Sequence, residues 1–488
     1  MVIGGVDLVL IGTIAYLFWA IGVCFGLILA KRSPIATLSW MLALLALPYV
    51  GVLIYIFFGP RRVERKRMRY AQARRAVSQA SPRHDSLGIG GGISDDIRVR
   101  YRQLAGLAIK LQQLPPARAD LVRLFIEGDS CYQAIADAIR GARHHVHIEY
   151  YIWEPGTAAT LLLDALVDRA RAGVAVKILL DDLGSGKAKI QQFAALTAAG
   201  GELSWFNPMR ISRFRPTMLN FRTHRKIIVI DGHIGFTGGM NITDHHSVAA
   251  KWNDAWRDTH MEIRGTPVAA LQRIFLEDWE FATGNVRKMR IAPEFFPAAA
   301  GGTVAATTGA HVQIIASGPD DTTYPIHAFY FAAIASARNA IAITTPYLVP
   351  DEALLAALKS ASLRGVHVRL LVPKQGDSRL VSAAGRSYYE ELIKAGIVVF
   401  EYGPPMLHAK TMVVDHSVAI VGTANLDNRS FRLNFEVMAV VYDAVIAQQL
   451  GKIFDDDLRY AKIYRPTATA SLKYRVINGF ARLFSPIL

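Results

Sequence analysis

"THRKIIVIDGHIGFTGGMN" (residues 223–241) and "LHAKTMVVDHSVAIVGTAN" (residues 407–425) carry one frame twice: His-x-Lys, four residues, Asp, six residues, Gly, two residues, Asn. The β-branched runs "IIVI" and "TMVV" predict strands, and the Asp-Gly step after the first predicts a hairpin. Residues i and i+2 of a strand share a face, so His224 projects with Lys226 and His408 with Lys410, while Arg225 and Ala409 point away. Imidazole beside ammonium suits a bound phosphate: one is nucleophile or acid, the other neutralises oxygen charge. Asp231 and Asp415 fall on the opposite face by parity and are expected to hold backbone groups. Gly238 and Gly422 allow close backbone approach to a phosphate, and Asn241 and Asn425 can donate to its oxygens. A nucleophilic histidine also needs a carboxylate on its second nitrogen. Glu436, in "RLNFEVMAVVY", is expected to serve His408, and Asp258, in "AWRDTHMEIRG", to serve His224.

The duplication extends outward from these strands. "AIADAIRGARHHVHIEYYIW" (134–153) parallels "HAFYFAAIASARNAIAITTPYLVP" (327–350), each a helix entering a strand. "DALVDRARAGVAVKILLDD" (164–182) parallels "AALKSASLRGVHVRLLVPK" (356–374), and "LTAAGGELSWFN" (196–207) parallels "LIKAGIVVFEYG" (392–403). The fold class is therefore α/β, with two duplicated halves packed face to face around one site. Residues 106–292 form the first half and 311–468 the second, joined by a linker at 293–310. One histidine would attack phosphorus and the other would protonate the leaving alcohol, then deprotonate the incoming one. "HHVH" (144–147) and the pair His245 and His246 have no ligand spacing that supports a metal site.

The N-terminal sixty residues are of another kind. "LVLIGTIAYLFWAIGVCFGLILA" (8–30) and "ATLSWMLALLALPYVGVLIYIFF" (36–58) are uncharged, and each exceeds the ~20 residues needed to cross a bilayer. A two-helix transmembrane hairpin over residues 1–60 is expected, not a cleaved signal peptide. "RRVERKRMRYAQARR" (61–75) follows, with eight basic residues and one acid, and supplies +7 of the chain's +15. Positive residues stay on the cytoplasmic side, which places the catalytic part in the cytoplasm. Such a run binds anionic headgroups at roughly 1 kcal/mol per residue. Residues 61–105 thus form a basic juxtamembrane segment and linker. Residues 469–488 place Leu472, Val476, Ile477, Phe480, Leu483, Phe484 and Ile487 on one helical face, a basic amphipathic segment suited to a membrane surface or to the protein's own core. Two cysteines, Cys24 and Cys131, support neither a disulfide framework nor a zinc site.

Both copies of the frame match the H-x-K-x4-D-x6-G-x2-N signature in full, and the chain resembles the phospholipase D superfamily. Within it, "LPYVGVLIYIFFGP", "IEYYIW", "TPYLVPDEALLAALKSASLRGVHVRLLVP", "HAKTMVVDHSVAIVGTANLDNRSFRLNFE" and "RLFSPIL" make it similar to the bacterial cardiolipin synthase family over nearly its whole length. The resemblance implies two phospholipase D-like halves and conversion of two phosphatidylglycerol molecules to cardiolipin and glycerol. It implies the bacterial inner membrane, anionic lipid partners, no nucleic acid, and no nucleotide cofactor or metal. It gives His224, Lys226, Asp231, His408, Lys410 and Asp415 catalytic assignments, with His224 as nucleophile, and marks Asp427, Arg429 and Ser430 as further family positions. The sequence departs from the family's common pattern in "GGMN", where a Gly-Ser step is usual, and in Asp258, where Glu is usual. Three other functions share part of this pattern. A hydrolase releasing phosphatidic acid uses the same residues, and a nucleic-acid phosphodiesterase would need a basic groove with aromatic platforms. A non-catalytic scaffold would leave both intact motifs unexplained.

Overall fold

The computed structural model describes residues 2–3, 6–29, 37–38, 41–42, 44, 61–82, 101–112, 114–208, 220–251, 254–284, 291–297, 309–466 and 472–488. The chain divides into two compact units, one ending at Lys66 and the other beginning at Arg67. In the first, Leu8–Leu29 is a helix whose residues Ile11–Leu29 are long and apolar enough to cross a membrane. Leu44 is buried against Val23 and Leu27. Apart from a few positions, the second expected span, 36–58, lies outside the described residues.

In the second unit fifteen strands form one sheet. The first half supplies β1 (Ala117–Phe125), β2 (His145–Tyr150), β3 (Ala175–Asp181), β4 (Glu202–Phe206), β5 (Ile227–Ile230), β6 (Ile234–Gly238) and β7 (His260–Gly265). The second supplies β8 (His311–Ser317), β9 (Ala340–Thr344), β10 (His367–Pro373), β11 (Val398–Tyr402), β12 (Thr411–Val414), β13 (Val418–Gly422), β14 (Glu436–Tyr442) and β15 (Ala461–Ile463). Across the sheet they run β4-β3-β2-β5-β6-β7-β1-β8-β14-β13-β12-β9-β10-β11-β15, so the halves mirror each other in order about the β1–β8 seam. That seam is short, with Ala117 opposite Val312 and Arg118 opposite His311. Outer strands β2-β3-β4 and β9-β10-β11 are parallel, as helical crossovers require, while the motif hairpins β5–β6 and β12–β13 are antiparallel.

Each half buries its own apolar core. In the first, Ile135 and Ile139 from one helix meet Leu162 and Leu166 from the next over Val146, Ile148 and Ile178. In the second, Phe329 and Tyr330 meet Leu354 and Leu358 over Ile341, Ile343 and Leu370. The helix Arg102–Gln112, across which the expected start of the first half falls, packs Leu104, Ala105 and Ala108 into the second half's core. The hairpin turns place Asp231 and Gly232, and Asp415 and His416, at positive φ, the geometry of two-residue turns matching the sheet's twist. At the carboxyl end the helix Leu472–Arg482 lies against Arg379–Lys394 and tucks Ala481 into the core. Its other side leaves Val476, Ile477, Phe480 and Leu483 exposed. The docked and the surface-seeking faces of this tail thus coexist.

Candidate active site

His224 and Lys226 do not sit in the ladder of β5, nor His408 and Lys410 in that of β12; each pair lies just ahead of its strand. There the backbone pairs with the opposite half. His224 N donates to Phe435 O (2.8 Å), and His408 N donates to Arg257 O (2.7 Å). Phe435 and Arg257 immediately precede Glu436 and Asp258. The two motifs are therefore stitched, by parallel bridges, to the segments that carry the other half's carboxylate.

This exchange corrects the pairing expected from sequence. His224 Nδ1 meets Glu436 Oε2 at 3.0 Å, and His408 Nδ1 meets Asp258 Oδ2 at 2.6 Å. Order along the chain had suggested that each histidine takes the carboxylate of its own half. Backbone bridging between halves overrides it, because each carboxylate strand follows a segment already bonded to the opposite motif. Each Nδ1 so engaged leaves Nε2 as the ring's second nitrogen. Both lysines are buried: Lys226 Nζ donates to His224 O at 2.9 Å, and Lys410 Nζ lies 2.9 Å from His408 Nδ1 while also donating to His408 O.

Burial, together with repulsion from the facing Lys410, lowers Lys226 to about 7, and burial lowers Lys410 to about 8. Burial pulls His224 down to about 4 against Glu436, and burial with Lys410 lowers His408 against Asp258. Burial pushes both carboxylates up, but Lys410 and His408 hold Asp258 well below its ordinary value, and His224 does the same for Glu436 more mildly. The lysines and imidazoles act on one another across the halves, so the two copies form a single site.

The remaining expected residues divide. Asp231 accepts from the backbone N–H groups of Arg143, His144 and His145 at 2.8, 2.8 and 2.9 Å. Asp415 does the same for Arg338, Asn339 and Ala340 at 2.9, 2.7 and 3.0 Å. Both aspartates thus tie the hairpin turn to the start of the neighbouring strand. Gly238 and Gly422 serve neighbouring strands as well. A Cβ on Gly238, at φ 148°, would lie 2.6 Å from His260 Cα, and one on Gly422 would lie 2.6 Å from Met438 Cβ. The expectation that these glycines face a phosphate is replaced by strand packing. Asn241 and Asn425 each keep a buried Oδ1 with no hydrogen-bond partner among the described residues, a requirement that a ligand could meet. Their backbone N–H groups donate to His246 Nε2 (3.3 Å) and Ser430 Oγ (3.0 Å). Asp427 caps the short helix that presents Arg429 and Ser430, accepting from Ser430 N at 2.7 Å.

Several functional neighbours carry no signal in a motif. Thr423 Oγ1 donates to Glu436 Oε2 at 2.5 Å, whereas its counterpart Gly239 leaves room for Asp258: a Cβ there would fall 2.0 Å from Oδ1. The Tyr151 ring stands edge-on to His224 with centroids 4.9 Å apart, and Lys226 Nζ lies 5.7 Å from that ring's centroid. His246, Asp258 and His408 converge with their ligating atoms within 4.8 Å of one another and could hold a metal ion. The Lys410 ammonium beside His408 already places a positive charge there.

A family profile described as "Cardiolipin synthase, PLD-like domain" matches residues 135–279 and 330–458, and one described as "Phospholipase_D-nuclease N-terminal" matches 17–60. "Cardiolipin synthase 1" of Bacillus anthracis is 35% identical, covering 98% of this chain and 94% of its own. "Cardiolipin synthase" of Geobacillus thermodenitrificans (strain NG80-2) is 38% identical, covering 96% and 91%. The structure of phosphatidylserine synthase from Haemophilus influenzae Rd KW20 superposes with a TM-score of 0.57 at 16% identity, covering 79% of this chain and 98% of that one. This last likeness concerns the fold.

Proposed function

This chain belongs to the cardiolipin synthase family with a phospholipase D-like domain, and we propose that it is a membrane phosphatidyltransferase making cardiolipin and glycerol from two phosphatidylglycerol molecules. The observation that carries the chemistry is the crossed pairing of two histidines with two carboxylates in one buried site. His224, with Nδ1–H donated to Glu436, attacks the phosphorus of the first lipid through Nε2. His408 protonates the departing glycerol oxygen, and Asp258 balances the imidazolium that supplies the proton. The product is a phosphohistidine. His408, now neutral, takes the proton from the glycerol hydroxyl of a second phosphatidylglycerol, whose oxygen attacks phosphorus and releases His224. Lys226 and Lys410 offset the charge on the phosphoryl oxygens, and Asn241 and Asn425 orient them. Asp231 and Asp415 act on this chemistry through the backbone they fix.

Residues 1–60 are read as a transmembrane hairpin, supported by the apolar Leu8–Leu29 helix and by Leu44 packed on Val23 and Leu27. The charge run after it supports a reading in which the halves, 106–292 and 311–468, lie on the cytoplasmic side of the bacterial inner membrane. Anionic lipids are the partners, and no step needs a metal, a cofactor or a nucleic acid. The test is purified full-length protein with phosphatidylglycerol alone, its products read by mass spectrometry. Cardiolipin with equimolar glycerol is expected, and EDTA should leave the rate unchanged. Phosphatidic acid as the sole lipid product would make the chain a hydrolase.

A further inference from the structure

The basic run at 61–75 was expected to lie on lipid. Arg61–Ala80 is one helix, and from Arg67 onward it belongs to the catalytic unit. Arg67 Nε donates to Pro319 O at 2.5 Å, and Arg74 lies 3.9, 3.8 and 3.7 Å from Glu277, Asp320 and Asp321. Between them Tyr70 is 2% exposed and reaches the junction of the two halves. Its hydroxyl donates to Asp278 Oδ1 at 2.8 Å and accepts from Arg225 Nη1 at 2.9 Å. Arg225, the middle residue of the first His-x-Lys, also pairs with Asp278 Oδ2 and donates from Nε to Glu436 O at 3.2 Å. The Tyr70 ring lies 4.7 Å from that of Phe435, whose carbonyl accepts the His224 N–H.

Among the described residues, no side chain from outside the halves makes a comparable contact with the other pair. The second motif has Ala409 where the first has Arg225. There Arg257, beside Asp258, is held by Asp457 through two bonds of 2.9 and 2.8 Å. We propose that Tyr70 is a positioning residue for the His224–Glu436 pair, so that the helix continuing from the juxtamembrane segment is a working part of the active site. Resting on the catalytic reading of that pair, it assigns to residues 67–80 a role other than lipid binding. An Arg–Asp pair buried this deeply needs its additional hydrogen bonds to keep one geometry. Tyr70 supplies one to each partner, and Arg225 passes the constraint to Glu436.

Full-length Tyr70→Phe, assayed in phosphatidylglycerol vesicles, keeps the ring and loses only the hydroxyl. The kcat per folded molecule should fall about tenfold with KM unchanged, the scale of one lost hydrogen bond to a charged group. His224 faces Glu436, Lys226, Lys410 and the Tyr151 ring, and Glu436 is the group that holds its proton affinity up. A loosened Glu436 should therefore move the acid limb of kcat/KM to lower pH. The proposal is overturned if kcat and that limb are unaltered, or if the loss only tracks a lower thermal midpoint. Glu436→Gln and His224→Ala serve as references. Should they retain turnover, the reading of the site fails; should they lose it while Tyr70→Phe is normal, only the role of Tyr70 fails.

Discussion

The His224 and His408 sites descend from one pattern, yet they are built differently. His224 answers to Glu436, whose carboxylate is held by Thr423 and whose backbone is held by Arg225 and, behind it, Tyr70. His408 answers to the shorter Asp258, which fits against Gly239 and lies 4.0 Å from His246 and near the Lys410 ammonium. Thr423 and Gly239 occupy the same place in the frame, as do Ser430 and His246. A duplicated scaffold has thus kept its strands and turns while its contacts around each histidine diverged. Symmetric chemistry would need no such divergence. A nucleophile and an acid–base group do, because one must present a lone pair and the other must gain and lose a proton within a turnover.

The largest expected effect tests whether the halves act as one. His224→Ala and His408→Ala should each cost about 10⁴-fold in kcat, and the double variant scarcely more, since groups that act as a unit are not additive. Losses that multiply would divide the site in two. The crossing itself can be broken chemically. A phosphodiester with a p-nitrophenolate leaving group needs no general acid for its departure, so Asp258→Asn and His408→Ala should recover p-nitrophenolate release in a single-turnover burst, while steady turnover, which needs His408 as base, stays low. Glu436→Gln and His224→Ala should recover none. Recovery by Glu436→Gln in place of Asp258→Asn would restore the uncrossed pairing.

A smaller effect concerns pH. The free enzyme holds Lys226 near 7 and Lys410 near 8, and phosphate binding needs both charged. As pH rises through these values the ammoniums are lost, so kcat/KM should fall about tenfold per unit once the first has titrated. Saturating substrate should carry the limb of kcat to higher pH, because the bound phosphate favours the charged lysines. An alkaline limb absent below pH 9 would mean the lysines stay charged in the empty site.

The smallest effect lies at the tail. Water at about 55 M competes with the lipid acceptor, and only positioning overcomes it, oriented reactions reaching effective concentrations of about 10⁵ M. The exposed ridge of Val476, Ile477, Phe480 and Leu483 is suited to hold the site against lipid. Phe480→Ser with Leu483→Ser should raise the ratio of phosphatidic acid to cardiolipin a few-fold, with total consumption less affected. A proportional fall in both products would make the ridge an anchor only. Deleting the tail would be a poorer test, since Ser485 O accepts from Asn428 Nδ2 (3.0 Å) and Leu488 O from Arg429 N (2.8 Å), beside Ser430.

Much of this was legible in the sequence. Strand periodicity and the repeated frame identify two α/β halves, and parity separates Asp231 and Asp415 from the histidines they follow. Linear order misleads where the backbone crosses between halves: nothing in "AWRDTHMEIRG" says that Asp258 will face His408. Gly238 and Gly422 read as phosphate approaches because a glycine's freedom is visible in sequence while the neighbour it admits, His260 or Met438, is not. Tyr70 and Arg67 were hidden in a run whose charge points to lipid, although "RMRYAQARR" also spaces Arg67, Tyr70 and Arg74 three to four residues apart, one face of a helix. Asp278 lies in no pattern at all, and His246, although it stands where the second copy has Ser430, is brought to Asp258 only by the tertiary fold.

The crossed carboxylates also impose a timetable. His224 waits for a partner 212 residues farther along the chain, and Asp258 for one 150 residues on. While the protein is being made, its apolar amino end can enter the bilayer long before Glu436 and His408 have been synthesised. A finished first half would then lie among substrate lipids with a histidine whose nitrogen is unassisted and a carboxylate that has no ring to serve. If the proposed chemistry holds, neither half cuts a phosphodiester until the other has docked, and the membrane would be spared an incomplete enzyme throughout translation.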